Sequence, residues 1–285
     1  MATFLQQVER PIYMSHSLPY TKQLSDEERA SARAEREKHL PRTRNDYSRH
    51  YGRWHDQSDE HFDVMTRIFE RRLAPYVDPS TDPAVLEIGC GMGFCLSALR
   101  KLGVSNVIGI DSDQGQIAAA TARSLPAVHV PIPSFPAFAQ DHREKFDLIL
   151  LFDVFEHIPI SDQGEFLREI LSLLRPNGMV VMQVPNANSI VNGRFRYIDA
   201  THHSSFTESS LDFLLYSAGF EDIEIRESDK VKKPSSYKWS EWRNWFEQKM
   251  ARHIIRRLYG AEIGRDAWII PLSGNITASA RRKLG

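Results

Sequence analysis

From residue 84 to residue 227, short apolar runs alternate with longer stretches whose apolar residues recur every three or four positions. AVLEIG is the first run, and FCLSALRKLG after it has a helical period closed by Gly103. NVIGID with SDQGQIAAATARSL repeats the pair, as does FDLILLFDV with QGEFLREILSLLRPNG, where Pro-Asn-Gly is the stop. MVVMQVPN, ESSLDFLLYSAGF and FEDIEIRE continue the series. Nearly continuous apolar strands separated by amphipathic helices require a parallel sheet covered on both faces. The pattern predicts an open, doubly wound α/β domain that takes its ligand at the carboxyl ends of the strands.

The flanks differ in texture. DEHFDVMTRIFERRLAPYV sets Phe62, Met65, Ile68, Phe69 and Leu73 on one helical face. Residues 1–45 are polar, and SDEERASARAEREKH, with Ser25 and Glu28 as a capping box, predicts a charged, solvated helix. The expected organisation is thus an arm over residues 1–45 and one domain over residues 46–285, interrupted by a basic, aromatic helical insertion at about 228–270. In that insertion Trp242, Phe246, Met250, Ile254 and Leu258 step by four. The reading adopted is that this stripe packs on the domain. The competing one is peripheral membrane contact through the 239–258 helix, with Trp at headgroup depth and Lys/Arg facing anionic lipid. SGNITASARRK alternates like a last strand at a sheet edge.

Composition adds exclusions. A net charge of −1 lacks the basic footprint of a nucleic-acid binder, so no nucleic acid is expected as partner. Cys90 and Cys95 are too few for a disulfide framework and have no second pair to complete a metal site, so reduced thiols and a cytoplasmic protein are expected. No apolar stretch approaches the roughly 20 residues of a membrane span. A place at the inner face of the membrane follows only from the lipid reading of the insertion.

The chemistry concentrates in VLEIGCGMGFC, residues 85–95. A dinucleotide fingerprint G-x-G-x-x-G starting at Gly89 needs glycine at position 94, which is Phe94; the third glycine is Gly93. The spacing E-x-G-x-G-x-G resembles motif I of the class I S-adenosylmethionine-dependent methyltransferases. GIDSD, FDLILLFDVFEHI, LREILSLLRPNGMVVMQVPN and LLYSAGF resemble that family's later segments in its own order. The resemblance implies a Rossmann-like sheet of seven strands, mostly parallel with one antiparallel, and S-adenosylmethionine as cofactor. It implies that Glu87, Gly89, Gly91 and Gly93 line the methionine half, and that Asp111 holds the ribose diol beside Ser112. The backbone around Phe152 and Asp153 would face the amino group and sulfonium. Where the family often has an Asp near the adenine N6, this chain has VHVPIPSFPAF, so backbone groups or Ser134 would read the adenine.

Methyl transfer needs an acceptor atom aligned with the sulfonium and, for a hydroxyl, a base. His202 is the expected base, with Asp199 as its orienter and His157 as a second candidate; no metal site is expected. His202 lies in NANSIVNGRFRYIDATHHSSFT, a polar stretch without helical period. V-P-N-x-N followed by D-x-T-H-x-x-x-F-T resembles methyltransferases among glycan and polysaccharide enzymes, which implies a polar small-molecule or glycan acceptor, methylated at a sugar hydroxyl. Natural-product or quinone-like compounds, and RNA, are the alternatives.

Overall fold

The chain divides into the units Met1–Asp46 and Tyr47–Gly285. The computed structural model describes residues 51–52, 55–228, 231, 233–234 and 238–283, all in the second unit. The expected arm over residues 1–45 lies outside the described residues.

Seven strands among the described residues form one sheet: β1 (Val85–Ile88), β2 (Val107–Asp111), β3 (Ala127–His129), β4 (Phe146–Phe152), β5 (Leu174–Pro185), β6 (Phe220–Glu227) and β7 (Asn275–Arg282). Their spatial order is β3-β2-β1-β4-β5-β7-β6. Only β7 runs antiparallel to its neighbours, β5 and β6. The fold class is therefore the one expected: α/β and Rossmann-like. The order reverses beside β1, where Val85 pairs with Val107 of β2 on one side and Leu148 of β4 on the other. That crevice, outside the carboxyl ends of β1, β2 and β4, is where such sheets bind ligands.

Alternation sorts the strands' side chains onto two faces. Leu86, Ile88, Ile149, Leu151, Val180 and Met182 share a core with Leu167 and Ile170 of α5 (Gln163–Leu173) and Leu211 and Leu215 of α7 (Glu208–Ala218). Val85, Leu148, Leu150 and Val181 face the other way. They pack with Leu73 of α1 (Asp59–Leu73) and with Cys95, Ala98 and Leu99 of α2 (Phe94–Lys101). Ser58 caps α1 by accepting from the His61 N–H. The remaining helices are α3 (Gln114–Ala122), α4 (Phe135–Asp141), α6 (Asn192–Tyr197) and α8 (Trp239–Ile263).

Four expectations are corrected. β7 is not an edge strand; it is inserted between β5 and β6, its buried Ile276, Ala278 and Ala280 covered from both sides. β3 and α4 arise from AVHVPIPSFPAFAQD, where Pro131, Pro133 and Pro136 mask both periods. The polar stretch after β5 contains the short helix α6. The insertion does form a helix, α8, but beyond Trp242, which is half-buried against Trp245, its stripe does not pack: Phe246 is 59% exposed and Leu258 65%. The docked side instead carries half-buried Trp245, Ile255 and Tyr259. It is held by Arg252 to Glu227, by Arg256 donating to the Ala267 carbonyl at 2.6 Å, and by Tyr259 Oη donating to the Asn188 carbonyl at 2.8 Å.

Candidate active site

β1 ends at Ile88, and the chain turns into α2 through Gly89, Gly91 and Gly93, all with left-handed backbone. At Gly89, with φ +74°, a Cβ would sit 2.4 Å from Val154 Cγ2 in the segment after β4. At Gly91, with φ +51°, a Cβ would sit 3.1 Å from the Tyr51 hydroxyl. Glycine is what lets this loop pass under both segments.

Asp111 ends β2. Its Oδ2 accepts from the Gly91 N–H and its Oδ1 from the Asp113 N–H, each at 2.8 Å. A carboxylate has about four acceptor sites, so both oxygens keep capacity for a vicinal diol while the loop fixes their direction. Burial raises the Asp111 carboxyl pKa, and the two N–H donors oppose that rise. Ser112 is exposed beside it, its carbonyl 3.0 Å from His129 Nε2.

The other residues expected to hold the cofactor fall at different depths. Glu87 is buried under the loop, facing the Cys95 thiol and the Leu96 N–H, with Oε2 lacking a protein partner. Burial drives its pKa well up. Phe152 stacks edge-on against Phe69 at 5.2 Å. Asp153 has left-handed backbone, φ 57°, and its carboxylate accepts from Gln183 Nε2 at 3.1 Å and Asn275 Nδ2 at 3.2 Å. Ser134 is exposed at the start of α4. Left-handed glycines, with a carboxylate one strand away, fit the methionine and ribose halves of S-adenosylmethionine. A cavity of about 200 Å³ adjoins the loop on its α3 side, lined by Tyr51, His55, Met92 and Gln116 among others. Beside it His55 Nδ1 lies 2.9 Å from His61 Nε2, and burial followed by the neighbouring imidazole lowers the His55 pKa to about 4.

The acceptor side gathers His157, Asp199 and His202, and adds Glu156 and Thr201, which the sequence did not single out. His202 Nδ1 lies 2.9 Å from the Phe195 carbonyl, and an oxygen there can only accept. His202 is thereby the Nδ1–H tautomer, with its lone pair on Nε2. The expected orienter, Asp199, acts on this ring through its charge, which opposes the burial-driven fall in the His202 pKa, and its carboxylate bonds Thr201. Its Oδ1 accepts from the Thr201 N–H at 2.8 Å and the Thr201 hydroxyl at 2.7 Å. Since that hydroxyl has given its one proton to Asp199, His157 Nδ1 must donate to it at 2.8 Å. Asp199 thus acts on His157 through Thr201, while a backbone carbonyl of α6 sets His202.

The two rings meet edge to face at 4.5 Å. Burial lowers the His202 pKa and raises the buried Glu156 carboxyl well up, with the Asp153 charge adding to the latter. His202 Nε2 approaches Glu156 Oε1 at 4.0 Å, and burial disfavours the charged form of both groups. Glu156 Oε2 has no protein partner. Ligand atoms of Glu156, His157 and His202 lie within 4.8 Å of one another, a set that could hold a divalent cation only after closing by about an ångström. Nothing in the sequence joins Glu156 to His202 except the fold itself.

A sequence family described as a methyltransferase domain matches residues 49–225. The ubiquinone biosynthesis O-methyltransferase of Bradyrhizobium diazoefficiens is 39% identical over 128 residues, 44% of this chain and 49% of that protein. The enzyme of the same name from Rhodopseudomonas palustris strain HaA2 is 36% identical over 128 residues, with the same 44% and 49% coverage. The chain spans about half the length of the curated relatives it matches. Among solved structures, a SAM-dependent methyltransferase from Archaeoglobus fulgidus is similar in fold, with a TM-score of 0.53 and 21% identity, covering 76% of this chain and 94% of that one.

Proposed function

This chain belongs to the methyltransferase domain family, and we propose that it transfers the methyl group of S-adenosylmethionine to a phenolic hydroxyl of a quinone-like small molecule. The likeness to ubiquinone biosynthesis O-methyltransferases carries the choice of acceptor. A sugar hydroxyl, the acceptor favoured by the sequence alone, has no counterpart among those relatives. The base supports the same choice. A phenol ionises near 10, whereas aliphatic hydroxyls are much weaker acids. A neutral imidazole with a lowered pKa is suited to the more acidic partner.

Bound S-adenosylmethionine supplies a methyl group activated by a positive sulfur. Asp111 and the glycine loop fix the donor's ribose and methionine ends. His202 Nε2 takes the acceptor's proton as the oxygen–carbon bond forms and the carbon–sulfur bond breaks. Asp199 and Thr201 hold His157 against the same ring. Alignment alone can contribute roughly 7–11 kcal/mol to such a step, so the base has modest work. A second reading, favoured by the Glu156–His157–His202 grouping, has a divalent cation lower the acceptor's pKa in place of the imidazole. Turnover lost on chelation and restored by Mg²⁺ or Zn²⁺ would select it.

The acceptor is tested with methyl-labelled S-adenosylmethionine, offering the full chain a prenylated catechol or a cell-extract glycan fraction. Label is expected in the organic-phase catechol. Label confined to glycan would overturn the phenolic acceptor while leaving the methyl donor in place.

A further inference from the structure

Helix α8 has two apolar faces. One, with Trp245, Ile255 and Tyr259, is docked on the domain and locked by Arg252 and Arg256. The other exposes Trp239, Phe246, Met250, Ile254 and Leu258 to solvent. A contiguous apolar stripe on a helix already anchored on its far side marks an interaction surface rather than unfinished packing.

Its charges indicate the partner. At about 100° per residue, Arg243 and Arg257 fall within the arc of the stripe, and exposed Lys249 and His253 follow one border. Glu247 lies in the arc too, but Arg243 pairs with it at 3.7 Å. Of the other carboxylates of the helix, Glu241 projects to the opposite side, while exposed Glu262 follows the far border beyond Leu258. With the Arg243–Glu247 pair cancelling, Arg257 and Lys249 against Glu262 leave the face that carries the apolar groups with a small net positive charge. Trp268 and Ile269, just beyond α8, are also exposed, with Trp268 lying 6.1 Å from His253. Aromatic and aliphatic side chains flanked by Lys and Arg suit the headgroup–acyl boundary of an anionic bilayer. No helix among the described residues is long and apolar enough to cross a membrane, so contact would be in the plane of the interface.

We infer that the exposed face of α8 is a docking surface for anionic lipid membranes. Tyr259 connects that surface to the acceptor side of the site through the Asn188 carbonyl, at 2.8 Å, in the segment after β5. A chain lying on α8 therefore has this segment braced against the helix at the bilayer. The inference does not depend on which acceptor is methylated.

The experiment is co-sedimentation of the full chain with vesicles of phosphatidylcholine alone or with about 30 mol% phosphatidylglycerol. Binding at low salt is expected to be at least roughly tenfold tighter with the anionic lipid and to weaken with salt. Removing Lys249 or Arg257 by alanine should each cost about fivefold. The double variant Phe246→Glu/Leu258→Glu should lose the vesicles yet keep S-adenosylmethionine affinity, which shows that it is folded. Two results overturn the inference: equal, salt-insensitive sedimentation with both vesicles, or no sedimentation together with a dimer in analytical ultracentrifugation that the double variant dissolves. The second would assign the stripe to a second copy of the chain.

Discussion

His202 Nδ1 donates to the Phe195 carbonyl at 2.9 Å, and this contact decides which ring nitrogen can take a proton. The donor is committed to a backbone oxygen, so Nε2 is the basic atom, and α6 rather than a carboxylate sets its direction. His202→Ala should lower kcat by about 10²–10⁴-fold while leaving S-adenosylmethionine affinity unchanged by calorimetry. Unchanged turnover would remove His202 from the chemistry.

Asp199 bonds Thr201, whose hydroxyl in turn accepts from His157. Thr201→Val keeps the size of the side chain but deletes the hydroxyl linking Asp199 to His157. Loss of these bonds beside a buried carboxylate should destabilise the fold by about 1–3 kcal/mol. Turnover should fall several-fold with S-adenosylmethionine affinity preserved. A stability loss without any change in kcat would leave His157 as a packing residue.

Acid should weaken the fold through His55. Its folded pKa is lowered to about 4 from the ordinary 6.5, so below 6.5 the unfolded chain binds a proton that the native chain refuses. Stability contributed by the neutral ring is complete above pH 6.5 and is lost as pH falls towards 4. Glu87, Glu156 and Asp111, with raised carboxyl pKa values, act in the opposite direction. The clean readout is the difference between the wild type and His55→Gln. Urea midpoints should converge between pH 7 and pH 4, and a constant gap would mean that His55 is not buried in its neutral form.

The pairs of strand and helix were legible because burial on both faces makes β1, β2, β4 and β5 apolar runs. The glycine loop and the Asp111 it bonds were legible because the spacing and the carboxylate lie in two short segments. β3 and α4 were hidden by Pro131, Pro133 and Pro136, and α6 by its six-residue length. The acceptor side was only half legible. His157 and His202 declared themselves as residue types, but Glu156, 46 positions before His202 in the sequence, joins them only through folding. A tautomer set by the Phe195 carbonyl leaves no mark in the sequence at all. On α8 periodicity shows the stripe but not which face docks, because the helix carries apolar residues on two faces and Phe246, Met250, Ile254 and Leu258 lie on the exposed one.

The most direct measurement is calorimetric titration of the full chain with S-adenosylmethionine, repeated on Asp111→Ala and again with NADH. The wild type should bind S-adenosylmethionine and not NADH. Loss of a charged acceptor should weaken the former by roughly tenfold to a hundredfold in the variant. Binding of NADH without S-adenosylmethionine, or an affinity indifferent to Asp111, would contradict the account.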